Sequence, residues 1–284
     1  MPTPYNTLYY PPADTLPYNG LPSIEDIELG EAINAKPDNG QWIVRVQEHF
    51  IIKYGWGVRP LEGFNMLFVS METDVPIPRV YAIYQNRDST GRTCSYIIMK
   101  YIEGQPLNQC WASLSSGMKE SIASQLRASL DQLRSLNQPG YFGSINHGPL
   151  HHPFFEGVED PRINGPFGSI NDLTEALVLK LEHENGAERV AYCRRVLPRV
   201  LRADGRVTFT HGNLRPKNVM LKPDGRVVIL DWLWAGWYPS YWEYAMAILG
   251  CDMDTDFHAW VPSFLDEYPN QCLWLATIRR FLPR

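Results

Sequence analysis

The stretch Thr210-His211-Gly212-Asn213-Leu214-Arg215-Pro216-Lys217-Asn218 gathers a histidine, two carboxamides and two cations in nine residues. Beyond it, an apolar run, Val227-Val228-Ile229-Leu230, ends in a single aspartate, Asp231. The turn sequence Pro223-Asp224-Gly225-Arg226 lies between, so a β-hairpin would bring the Asn213–Asn218 loop beside Asp231. A carboxylate ending a buried strand is costly unless it is paired or binds a metal. Asn218 adds an amide oxygen, and Mg²⁺ favours one or two such oxygens with phosphate groups completing its shell. Taken alone, Asp231 is better explained as a helix cap or turn residue. The whole constellation favours the metal.

The elements that must position these residues fall into two kinds. Trp42 to Tyr54 holds two β-type runs around a polar Gln47-Glu48-His49 turn, followed by helical spacing over Glu62–Val69. Arg79–Tyr84 and Ser95–Ile102 read as two further strands. Beyond Gly104 helices dominate. Met118, Ile122, Leu126, Leu130 and Leu133 make one apolar face, with Ser115 as N-cap, and Leu173, Leu177 and Leu181 suggest a second helix. Val190, Leu197 and Val200 suggest a third, which Pro198 kinks or ends. The expected fold class is α+β: an N-terminal arm over residues 1–30, a sheet lobe with one helix over 31–103, and a mostly helical lobe over 104–284. The arm, rich in Pro and Tyr, reads as an extended surface segment or a disordered tail.

Bulk properties narrow the function. A net charge of −5 supplies no basic footprint for nucleic acid. No run approaches the roughly 18 apolar residues of a membrane span, and the N-terminus has no signal-peptide pattern. The five cysteines are scattered and odd in number, which suits a reducing, cytoplasmic compartment rather than a disulfide framework or a zinc site.

The segments FTHGNLRPKNVML and VVILDWLWAGWYPSYWEYAMA resemble the catalytic and metal-binding loops of the aminoglycoside-phosphotransferase-like kinases, in a subgroup common in fungi. The resemblance extends through IIKYG, NMLFV, VPIPRVYAIY, YIIMKYIEG, LDQLRSL, PGYFGS and NGPF, spanning about residues 40–270. It implies a bilobal, protein-kinase-like fold that binds ATP and Mg²⁺ between its lobes and phosphorylates a small-molecule hydroxyl. By the same resemblance, Lys53 contacts the nucleotide phosphates and Glu62 pairs with it. Backbone groups of Lys100, Tyr101 and Ile102 bond the adenine, His211 is the scaffold histidine of the catalytic loop, and Asn218 and Asp231 are the magnesium ligands. Without the resemblance, Lys53 reads more simply as a strand lysine reaching solvent.

Asn213 departs from the pattern. The family has aspartate there, placed to accept the proton of the attacking hydroxyl. A carboxamide can orient that hydroxyl but has no usable basicity near neutral pH. Leu233 is a second departure, where many relatives have glutamate. Lys100 stands where an acid is frequent, and no glycine-rich phosphate loop is evident.

Seven large rings follow the metal aspartate: Trp232, Trp234, Trp237, Tyr238, Tyr241, Trp242 and Tyr244. They most simply form the core of the helical lobe, with at least one of the first three tryptophans fully buried. Any that line the ligand cleft favour an apolar or planar substrate over a polycationic sugar. The acidic run Asp252, Asp254 and Asp256 could bind a cation but more simply makes a solvated turn or helix start. Three functions remain open: a small-molecule Mg-ATP kinase impaired at Asn213, a nucleotide-binding pseudokinase, and a kinase fold turned to non-phosphoryl chemistry, such as cyclisation or condensation of a biosynthetic intermediate.

Overall fold

The computed structural model describes residues 6–12, 20–33, 39–88, 90–183, 185–202 and 205–282. The chain divides into two compact units, residues 1–71 with 77–103, and residues 72–76 with 104–284.

In the first unit the strands β1 (Asn6–Tyr9), β2 (Glu31–Ala32), β3 (Trp42–Val46), β4 (Phe50–Gly55), β5 (Val80–Arg87) and β6 (Thr93–Lys100) form one antiparallel sheet. Its order is β1-β5-β6-β4-β3-β2. The segment expected as an arm therefore supplies an edge strand and a helical turn, α1 (Ile24–Glu28). The turn is capped by Ser23, whose hydroxyl accepts from the Asp26 N–H, and it buries Ile27 in the core. Residues 1–5 and 13–19 of that arm lie outside the described residues.

Alternation sets the two faces of the sheet. Val44, Phe50, Ile52, Tyr96 and Ile98 share one core with Ile27. Lys53 lies opposite Ile97, and Ile97 opposite Ile83, in one row across three strands. On this row sits the helix α2 (Pro60–Glu72). Gly63 allows the approach: a Cβ there would lie 2.5 Å from Ile83 Cδ1 and 3.4 Å from Ile97 Cγ2. The neighbouring Glu62 is thereby brought into the buried layer.

The second unit holds β7 (Gln105–Pro106), β8 (Val207–Thr210), β9 (Val219–Leu221), β10 (Val227–Ile229) and β11 (Gly236–Pro239). They form a β10-β9-β7 sheet and a β11-β8 pair. The helices are α3 (Leu107–Cys110), α4 (Ser116–Arg134), α5 (Pro161–Asn164), α6 (Ile170–Glu182), α7 (Ala187–Val200), α8 (Trp242–Leu249), α9 (Phe257–Phe264) and α10 (Pro269–Phe281). Ser115 caps α4 by accepting from the Met118 N–H, and Ile122, Leu126, Leu130 and Leu133 are buried as their spacing predicts. Pro198 lies inside α7 rather than ending it. No helix among the described residues is long and apolar enough to cross a membrane.

Candidate functional site

Two strand pairings assemble the site. Thr210 pairs with Gly236, so the chain leaving β8 and the chain entering β11 run side by side. Val219 pairs with Ile229 in the expected hairpin, and the Leu230 N–H donates to the Asn218 carbonyl at 2.8 Å. Residues 211–218 and 230–235 therefore form one loop cluster. Gly212 is required within it. Its φ is +76°, and a Cβ would meet the Trp234 carbonyl oxygen at 2.7 Å. Asp231 itself has a φ of 66°, a sparsely used conformation for a non-glycine residue and one that recurs at functional sites.

At the centre of the cluster Asn213 is a bridge. Its Nδ2 donates to Asp231 Oδ2 at 2.6 Å, and its Oδ1 accepts from Arg215 Nε at 2.5 Å. A guanidinium only donates and a carboxylate only accepts, which fixes the orientation of the carboxamide. Asn218 Nδ2 donates to the Asn213 carbonyl at 2.8 Å and to Asp231 Oδ2 at 3.3 Å. Both Asn213 and Asn218 are buried.

His211 is fully buried and serves as a scaffold. Its Nδ1 accepts from the Asn213 N–H at 3.2 Å, so Nε2 carries the proton and donates to the Leu230 carbonyl at 3.0 Å. Burial holds its pKa down to about 4, so the ring is neutral at physiological pH. Its ring meets Trp232 edge-on at 4.6 Å. From α8, Glu243 accepts the backbone N–H groups of His211 at 2.5 Å and Gly212 at 3.2 Å. Burial pushes the Glu243 carboxyl up to about 7, against the pull of those two N–H groups. Sequence reasoning misses Glu243. One carboxylate inside the otherwise apolar WEYAMAIL helix is the available signal, since such a charge needs partners.

In the first unit, Lys53 Nζ and Glu62 Oε2 make a buried ion pair at 2.6 Å, their side chains 10% and 4% exposed. The bland reading of Lys53 as a solvent-reaching lysine is thus not what the structure shows. Among Lys100, Tyr101 and Ile102, the first two amides are already used: the Lys100 N–H donates to the Arg79 carbonyl and the Tyr101 N–H to the His49 carbonyl, both at 2.8 Å. Ile102 follows the strand, and its N–H makes no such bond.

Asn218 and Asp231 suit Mg²⁺ by type. Both offer hard oxygen donors, and the Asn218 amide nitrogen is committed to two acceptors while its Oδ1 accepts no hydrogen bond. No cluster of three or more His, Cys, Asp or Glu side chains suited to a metal occurs among the described residues. Mg²⁺ does not require one, since it is bound by one or two protein oxygens with phosphate and water.

The aromatic run divides. Trp232, Tyr238, Tyr241 and Trp242 are fully buried, and Trp237 and Tyr244 nearly so. Truncating any of the large rings to alanine would cost on the order of 3–5 kcal/mol, which marks them as core. Trp234 alone is half-buried, with the Arg215 guanidinium 5.4 Å from its ring centre. Together with Asn213 these two residues line a cavity of about 950 Å³ lying wholly within the second unit. The acidic run is structural: Asp256 pairs with Lys119 at 2.8 Å and accepts from Trp111 Nε1, while Asp252 turns the chain by accepting from the Asp254 N–H.

A family model described as "Phosphotransferase enzyme family" matches residues 36–274, most of the chain. The chain belongs to this phosphotransferase family. Solved structures of similar fold include a Haemophilus somnus 129PT protein designated "Putative fructosamine-3-kinase", with 13% identity, a TM-score of 0.61, and coverage of 88% of this chain and 82% of that one. The streptomycin–ATP ternary complex of APH(2")-IIa has 13% identity, a TM-score of 0.54, and coverage of 90% and 83%. Aminoglycoside phosphotransferase APH(4)-Ia has 13% identity, a TM-score of 0.56, and coverage of 91% and 88%. At this identity the likeness is one of fold: α+β, with an antiparallel-sheet unit and a helical unit. A comparison with curated proteins finds no match.

Several residues of the site carried no signal in the sequence. Arg215 lies in the recognised loop, but its bond to Asn213 depends on both backbone conformations. Arg279 and Arg280, some sixty residues downstream, reach the cavity through the packing of α10 against α8.

Proposed function

We propose that this phosphotransferase transfers phosphate from Mg-ATP to a hydroxyl of a small molecule, at a rate reduced by Asn213. The observation that carries the reading is the Asn213–Asp231–Asn218 cluster, in which hard oxygen donors suited to Mg²⁺ adjoin the position where the family places its base. Asn218 and Asp231 would hold the magnesium, which supplies charge neutralisation on the transferring phosphate. Lys53, fixed by Glu62, would contact the nucleotide phosphates, and the Ile102 N–H is the amide available to an adenine ring. His211 and Glu243 hold the loop backbone from either side. Asn213 can orient the acceptor hydroxyl through the second N–H of its Nδ2 or the second lone pair of its Oδ1, each of which is used once in the present bridge, but it cannot take the proton. A general base contributes typically 10²–10⁴-fold, so the rate falls by about that factor. The loose transition state of phosphoryl transfer leaves positioning and charge to support slow turnover.

A second reading, non-phosphoryl chemistry in the same fold, is favoured by one observation: the cavity against Asn213 has no carboxylate among its lining residues to serve as the kinase base. Thermal melts separate the two. Binding needs no base, so at a Mg-ATP concentration of about 100 times Kd the native state should gain ~2.7 kcal/mol. Asp231→Ala should abolish the Mg²⁺-dependent part of the shift and Lys53→Ala should weaken the rest. No shift in the unmutated protein at millimolar Mg-ATP would remove the kinase and pseudokinase readings and leave the second.

A further inference from the structure

The cavity against Asn213 carries more information than its volume. Three arginines line it, Arg215, Arg279 and Arg280, and no acidic residue does so among the described residues. None of the three has a carboxylate partner there. Arg215 donates to the neutral Asn213 carboxamide, Arg279 donates to the Leu249 carbonyl at 2.9 Å, and the exposed Arg280 side chain makes no hydrogen bond among the described residues. Asp231, behind the Asn213 carboxamide, is not a lining residue. Apart from Asn213 and His152, the remaining side chains of the wall are apolar, with Trp234 and Met246 among them.

Mutual repulsion accompanies this arrangement. Burial lowers the pKa of Arg215, and the nearby Arg279 lowers it further, against the pull of Asp231. His152, also in the wall, is held neutral at a pKa of about 3 by burial and by the same two arginines. Its Nδ1 accepts from the Phe154 N–H at 3.3 Å, which leaves the proton on a buried Nε2 that finds no acceptor. Arg279 and Arg280 are exposed and Arg215 is half-buried near Asp231, so the three positive charges are partly screened, and an anion entering between them relieves the repulsion that remains. The volume is in the range of a drug-sized ligand.

We infer that the acceptor bound here is anionic, a hydroxyl compound carrying a carboxylate or similar acid on an apolar, planar body, and not a polycation. The inference rests on the proposed phosphotransfer for the word acceptor, but the charge preference stands on the cavity alone. A cationic amine would meet three guanidiniums with no carboxylate to receive it. A carboxylate would meet fork-shaped donors suited to bidentate bonding. The ring of Trp234, already stacked with Arg215, offers a flat apolar wall for the body.

Three probes of matched size test this: naphthylacetate, its neutral amide, and naphthylethylamine, titrated calorimetrically into the full chain without nucleotide or metal. The carboxylate is expected to bind about tenfold or more tightly than the amide, with the amine weakest. Arg280→Met, at a side chain with no hydrogen bond to lose, should weaken the carboxylate severalfold to tenfold and leave the amide unchanged, while Arg280→Lys retains part of the preference. Equal affinities, an amine that binds best, or no carboxylate binding at millimolar concentration would each overturn the inference. Should the arginines serve nucleotide phosphate instead, Arg280→Met would diminish the Mg-ATP melting shift and spare the carboxylate titration, which also overturns it. Because the titrations contain no nucleotide, failure of the phosphotransfer reading would appear only in the melts and would leave this result intact.

Discussion

Replacing Asn213 by aspartate changes one donor into an acceptor at the most constrained point of the site. In the native protein Asn213 Nδ2 lies 2.6 Å from Asp231 Oδ2, so the new carboxylate would face an existing one. With charge centres relaxed to about 4 Å and an effective dielectric of ~20, the repulsion is about 4 kcal/mol. The bond lost to a charged acceptor adds about 1.5–3 kcal/mol, and a charged contact between Arg215 and the new carboxylate would return a similar amount. The net cost without metal is therefore about 3–4 kcal/mol, or roughly 10 °C of melting temperature for a chain of this size. Two carboxyls so close share a raised pKa, so the native state holds a proton that the unfolded chain releases. The cost should accordingly vanish as pH falls to the ordinary carboxyl range, grow as pH rises from there, and be fully expressed only above the raised native pKa. Mg²⁺ should recover most of it. The assay is a set of thermal melts of both proteins in chelator and in millimolar Mg²⁺, across pH, without nucleotide. With Mg-ATP and an acceptor, the same variant should turn over at least about tenfold faster. Identical melting of the two proteins in chelator would refute the bridge, and identical turnover would refute the role of the missing base.

Lys53→Met strips Glu62 of its cation in a buried site and should cost about 3–5 kcal/mol in urea unfolding, whereas Lys53→Met with Glu62→Leu should lose far less. Glu243 has a native pKa of about 7 against an ordinary 4.5, so raising the pH takes the proton from the unfolded chain first. Wild-type stability should thus fall relative to Glu243→Gln by about 3 kcal/mol between those values and be level above them; parallel pH profiles would contradict this. Gly212→Ala puts a Cβ against the Trp234 carbonyl at positive φ and should cost about 1–3 kcal/mol, with a smaller Mg-ATP melting shift; an unchanged melt would show that the loop tolerates another backbone path.

Several features of the fold are legible because they rest on local pattern. The α4 face and its Ser115 cap follow from spacing, and the β9–β10 hairpin follows from an apolar run beside a Pro-Asp-Gly turn. The central loop is legible because its residue types are unusual at that spacing. Less is legible where long-range packing decides. Pro and Tyr make the arm read as an extended segment, yet pairing with β5 and burial of Ile27 outweigh composition. The two hydrogen bonds of Asn213 need coordinates, because its neighbours along the chain do not reveal which side chain meets which. Arg279 and Arg280 look like an ordinary basic helix end, a placement favoured by the helix dipole whatever lies opposite.

Residues 72–76 belong with the helical unit although they precede it by almost thirty positions. The Pro76 carbonyl receives the Ile229 N–H of β10 at 2.9 Å, the Asp74 N–H reaches the Gln132 side chain of α4 at 2.9 Å, and Val75 is buried. A fragment cut to begin at residue 104 would therefore strip the strand leading to Asp231 of an edge partner and open a hydrophobic slot beside it. Dissection of the protein into halves should fail at that boundary, and the C-terminal half should recover order when the short peptide spanning 72–76 is supplied in trans.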